Sequence, residues 1–151
     1  MGINWKSPYI VIQRIDKGIS DILRICIVIQ RHEDFFLLSE KEVLTKDPAL
    51  LEMTDLLLRF KNITIKSYRM KIKLSKTRTT YFNHKDLINS IDKNMKKIME
   101  IFKKKESMEG YTTLTEAQII ERNPELEDLM EIFMRFRNIV IKVSGGKRKW
   151  S

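Results

Sequence analysis

Two stretches of this chain concentrate positive charge. Lys66, Arg69, Lys71, Lys73, Lys76 and Arg78 fall close together, and Lys142, Lys147, Arg148 and Lys149 run up to Trp150. Cations at that density neutralise phosphates and release their counterions, and a neighbouring aromatic ring can stack on a base. Lys71, Lys73, Lys76, Arg78, Lys142, Lys147, Arg148, Lys149 and Trp150 are therefore the candidate nucleic-acid contacts. A third group, Lys93, Lys96, Lys97, Lys103, Lys104 and Lys105, shares one helical stretch. The competing reading of every such run is a solvated surface.

Bond-making chemistry has far less to draw on. His32 and His84 are the only histidines, and neither has a metal-ligand spacing. Cys26 is the only cysteine, so it can form no internal disulfide; within "ILRICIVIQ" it reads as a small buried hydrophobe. There is no glycine-rich phosphate loop and no nucleophile paired with a base. The expectation is a non-enzymatic protein without cofactor or metal.

The formal net charge is +9, which favours nucleic acid, an anionic surface or an acidic partner but is silent about fold. The longest wholly apolar run is "ICIVI", residues 25–29, far short of the roughly 20 residues of a membrane helix. No leader pattern opens the chain, so an intracellular protein, cytoplasmic or nuclear, with no membrane partner is expected.

The elements that position these cations occur twice. A shift of 76 residues lays 38–66 on 114–142 with ten identities in 29 positions, among them Pro48/Pro124, Arg59/Arg135, Phe60/Phe136 and Asn62/Asn138. Composition alone gives about two. The same shift pairs Ile12, Ile15, Asp16 and Ile22 with Ile88, Ile91, Asp92 and Ile98. One unit has been duplicated, with boundaries drawn at 8–81 and 82–151.

Each copy opens with a helix. Ile12, Ile15, Ile19, Ile22, Cys26 and Ile29 follow a 3–4 spacing, as do Ile88, Ile91, Met95, Ile98 and Phe102. "DFFLLSEKEV" and "GYTTLTEAQI" read as a short extended segment entering a capped helix, with Ser39 or Thr115 three residues before Glu42 or Gln118. Asp47-Pro48 and Asn123-Pro124 start a third helix, which is expected to end near Lys61 or Arg137. "NITIKS" and "NIVIKV" then alternate β-branched residues in the manner of strands.

Helix, short strand, helix, turn, helix, strand, basic turn, strand resembles the winged helix-turn-helix family, twice over. The likeness rests on element order, on "TLTEAQI" before the second helix and on "IVIKVSGGKRKW" at the wing position. It implies an α+β, mainly helical fold of two tandem winged-helix repeats, with the basic wings against DNA or RNA. The alternative is an all-α six-helix bundle. "RTTYFNH", residues 78–84, also faintly resembles the Arg-and-His spacing of some small helical ribonucleases, but occurs once and outside the repeated core.

The third helices themselves are poor base readers. Glu125, Glu127, Asp128 and Glu131 crowd the start of the second and would be repelled by phosphates. Both helices are also more apolar than one core face needs. Leu51, Leu58, Met130 and Met134 are candidate protein contacts, against the other repeat, a homodimer mate or a partner. Two functions follow: a nucleic-acid backbone binder within a larger nucleic-acid-handling assembly, or a pure interaction subunit. Paired winged helices play the latter part in the ESCRT-II coat, chromosome-segregation and telomere-capping complexes.

Overall fold

The computed structural model describes residues 7–34 and 39–145. Six helices follow one another: α1 (Pro8–Asp34), α2 (Glu40–Lys46), α3 (Pro48–Ser67), α4 (His84–Met108), α5 (Glu116–Arg122) and α6 (Pro124–Gly145). The starts of α4, α5 and α6 each fall 76 residues after those of α1, α2 and α3, the same shift that aligns the sequence.

Local signals set these starts. Ser39 accepts from the Glu42 amide while Glu42 accepts from the Ser39 amide, and Thr115 and Gln118 repeat the exchange. These are capping boxes, which satisfy two otherwise orphaned donors each. Asp47 caps the amides of Ala49 and Leu50, with Pro48 first in α3.

The α+β expectation is corrected: no strand is present among the described residues, and the architecture is the all-helical alternative. "NITIKS" lies in the last turns of α3, and "NIVIKV" in those of α6. Residues 111–114 form no strand, and 35–38 lie outside the described residues. The cause is burial overriding weak β propensity. Leu57, Phe60 and Thr64 keep the 3–4 spacing on the inward face, as do Phe133, Phe136 and Val140. The Thr64 hydroxyl donates to the Phe60 carbonyl one turn back (3.0 Å), a bond that accommodates a β-branched residue in a helix.

One hydrophobic core runs through both halves. Within each half, α1 packs on α3 and α4 on α6; between halves, α1 packs on α6 and α3 on α4. Equivalent residues meet at the centre: the rings of Phe60 and Phe136 stack in parallel (0°) with centroids 5.2 Å apart. Each copy also holds the same internal ion pair, Asp16–Lys61 at 2.8 Å and Asp92–Arg137 at 2.7 Å. A contact between equivalent residues, such as Phe60 with Phe136, is what an approximate two-fold axis between the copies produces. Gly18 marks one departure from that symmetry. A Cβ there would lie 2.9 Å from Leu129 Cδ2, so its lack of a side chain lets α1 approach α6 closely. Its counterpart, Asn94, fills the α3–α4 crossing and donates to Glu52 (2.7 Å) and the Ser90 carbonyl (2.8 Å).

Among the described residues, no helix is long and apolar enough to cross a membrane. Burial pushes the Cys26 thiol up to about 12, aided by the nearby Asp47 carboxylate, so the thiol stays protonated and inert.

Glu106, near the end of α4, is 1% exposed and ties α4 to α5. It accepts from Arg122 (2.5 Å) and Asn123 (3.2 Å), with Lys105 at 3.4 Å. Burial works to raise its pKa, but the bonds from Arg122 and Asn123 and the charges of Lys105 and Arg122 outweigh it, and the net shift is downward. A carboxylate held lower in the fold than in the unfolded chain stabilises fully above its unfolded pKa of about 4.5. That contribution is lost as pH falls through the folded value. Glu106→Gln should therefore lower stability at pH 7 by about 2 kcal/mol, and its urea midpoint should fall less steeply than that of the parent between about pH 5 and pH 3. Parallel profiles would remove Glu106 as the acid-sensitive link.

Candidate nucleic-acid interface

The chain leaves α3 through a Schellman turn. Arg69 adopts the left-handed conformation (φ 50), its amide donates to the Lys66 carbonyl, and the Met70 amide reaches back to that of Ile65. This reversal sends residues 71–81 back along α3 as an extended strap.

Three stations hold the strap. Asn62 grips one residue by both main-chain groups: its amide nitrogen donates to the Ser75 carbonyl (2.8 Å), and its carbonyl accepts from the Ser75 amide (2.9 Å). Asp55, 3% exposed, accepts from the amides of Arg78 (2.6 Å) and Thr79 (3.2 Å) and from the Thr79 hydroxyl. Arg59 donates to both the Asp55 carboxylate and the Thr79 carbonyl, and sits 5.0 Å over the Tyr81 ring. The Tyr81 hydroxyl meets that of Ser90 on α4 at 3.1 Å.

The segment where the winged-helix reading expects a returning strand is extended but is not a strand, because its main chain bonds to helix side chains rather than to another strand. Exposure alternates along it: Ser75, Thr77, Thr79 and Tyr81 are half-buried, while Lys76, Arg78 and Thr80 face outward. Two-residue alternation is the geometry of an extended chain.

Lys66, Arg69, Lys71, Lys73, Lys76 and Arg78 are all exposed, and none has an acidic partner among the described residues. Exposed aromatics flank the segment, Tyr68 on one side and Phe82 (89% exposed) on the other. The structure therefore gathers Lys71, Lys73, Lys76 and Arg78 on one anchored segment. Lys142 is exposed in the last turn of α6, apart from them in sequence; Lys147, Arg148, Lys149 and Trp150 lie outside the described residues. On α4, Lys96 and Lys97 have no acidic partner among the described residues. Lys93, Lys103 and Lys104 face Glu52, Glu116 and Glu33, and Lys105 is turned to Glu106 and Asn123.

His84 heads α4, buried, and burial holds its pKa below the usual histidine value. It is a neutral side chain packed in the fold, remote from the solvated acid–base role that "RTTYFNH" brings to mind. No cluster of three metal-ligating side chains exists among the described residues.

Of the candidate protein contacts, Leu51, Leu58 and Met130 are half-buried and Met134 is 42% exposed. The anchors Asp55 and Asn62 carried no functional signal in one sequence. Their positions one turn or more apart on a helix face, opposite a Ser/Thr-rich segment of alternating polarity, were the available hint. The repeat register also continues past the helices: Lys71, Lys73 and Ser75 recur as Lys147, Lys149 and Ser151.

Comparison with family models, curated proteins and solved structures finds no match to this chain.

Proposed function

We propose that the protein is a non-enzymatic, intracellular binder of nucleic-acid backbone, and that the strap is its contact surface. The observation that carries this reading is the run of exposed cations from Lys71 to Arg78, without acidic partners among the described residues, on a segment pinned in extended form. Pinning lowers the ordering cost of binding. Extended spacing offers successive outward cations to successive phosphates. Tyr68 and Phe82 add stacking faces that an unpaired base can use and a duplex hides, so single strands are favoured over duplex. Strong base specificity is not expected, because the polar face of α3 that a groove would meet is occupied by the strap itself.

A mobility-shift titration over a salt series tests this. The parent chain should bind single-stranded oligonucleotides with affinity that falls steeply with salt. Changing Lys71, Lys73, Lys76 and Arg78 together to Gln should lower the slope of log K against log salt by about 3, at roughly 0.7 per phosphate on single strands. No shift at low salt, or a slope unchanged by the four substitutions, would refute the reading. The interaction-subunit alternative draws on one observation, the exposed Met134, Ile141 and Val143 on α6.

A further inference from the structure

The polar set that holds the strap on α3 is written again on α6. Asp55, Arg59 and Asn62 correspond to Glu131, Arg135 and Asn138, at the same spacing. The apolar flank corresponds as well, Leu58 to Met134 and Ile65 to Ile141. Exposure is where the faces part. Ile65 is 3% exposed although it lies outside the contiguous core, while Ile141 is 38% exposed. Asn62 makes both strap bonds; the Asn138 side chain is exposed and makes no hydrogen bond among the described residues. Among the described residues, cover equivalent to the strap is present on α3 and lacking at Asn138, Met134 and Ile141.

We propose that this face of α6 is a docking site for an extended peptide segment of a partner protein. The strap shows the chemistry such a ligand needs: a main chain whose amide and carbonyl pair with one asparagine, small hydroxylated residues facing the helix, and basic residues facing out. Charge sharpens the choice. Glu127 stands where α3 has Leu51, so the α6 face carries an acid that its twin lacks and favours a basic peptide. This mode resembles strand addition, with a helix's side chains in place of a sheet edge.

The strap's own sequence, residues 70–82, is the probe. A fluorescein-labelled peptide of that sequence should bind the full-length chain saturably at one site by anisotropy. The strap already in place on α3 is tethered at high effective concentration, so the free peptide should not displace it. Asn138→Ala should weaken binding about tenfold, the scale of a lost amide–main-chain pair. Met134→Glu should abolish it, and a scrambled peptide of equal charge should bind at least about tenfold more weakly. Both substituted side chains are exposed, so the fold should survive, as circular dichroism can verify. Absence of saturable binding, equal binding of the scrambled peptide, or indifference to both substitutions would overturn the proposal. So would binding that emerges only once residues 146–151 are deleted, which would give the face to the chain's own repeat of Lys71, Lys73 and Ser75.

Discussion

Asp55→Ala is expected to lower stability by about 2–4 kcal/mol, because a buried carboxylate that answers one guanidinium, two amides and a hydroxyl cannot be removed without leaving those donors unsatisfied. The loss should be local in its first effect. Without Asp55, the strap keeps the Asn62 station, the Tyr81 contacts and the Arg59 bond to the Thr79 carbonyl, and that guanidinium loses the carboxylate that orients it. Trypsin, which cuts after Lys and Arg, should then cleave between Lys71 and Arg78 well before the helical core, whereas the parent strap should resist. Nucleic-acid affinity should fall too, although every cation remains, because the ordering cost returns at binding. Asp55→Glu, the residue that α6 itself uses at this position, should retain part of the anchorage. Unchanged cleavage and an unchanged denaturation midpoint in Asp55→Ala would mean that the strap is held by something other than this carboxylate.

The second large effect is expected at the centre of the molecule. Phe60 and Phe136 are each at most 2% exposed and face one another. Either change to Ala should cost about 3–5 kcal/mol, the usual range for emptying a buried phenyl site. The double variant should lose less than the sum, since the first change already forfeits the stack, with a coupling of about 0.5–1.5 kcal/mol. Urea denaturation of the four proteins measures this directly. Additive losses would show that the rings pack independently, and the contact between copies would then count for little.

How much of this could be read beforehand depends on the kind of signal. Caps are local: Ser39 with Glu42 and Thr115 with Gln118 fix helix starts through neighbours in sequence, and the structure has them as read. The duplication was legible because identities at one shift accumulate. Ile63, Ile65, Ile139 and Ile141 have β-branched chains on an alternating pattern, which predicts strands where the structure has helix. What decides their state is burial of Phe60, Thr64, Phe136 and Val140 along a continuing helical stripe, which is a tertiary fact. The cations at Lys71, Lys73, Lys76 and Arg78 could be named from composition. Their mounting could not, because it depends on Asp55 and Asn62 meeting residues 13 to 24 positions away, and nothing in an isolated sequence couples an aspartate to a distant amide.

The stacked phenylalanines make the interior of this molecule nearly indifferent to which half is which, yet among the described residues one half alone carries a strap. A symmetric heart beneath a lopsided exterior gives the particle a polarity. Among the described residues, a long ligand spanning it would meet the strap's cations on one side and a helix bearing both Glu127 and Lys142 on the other, so its two ends would not be interchangeable.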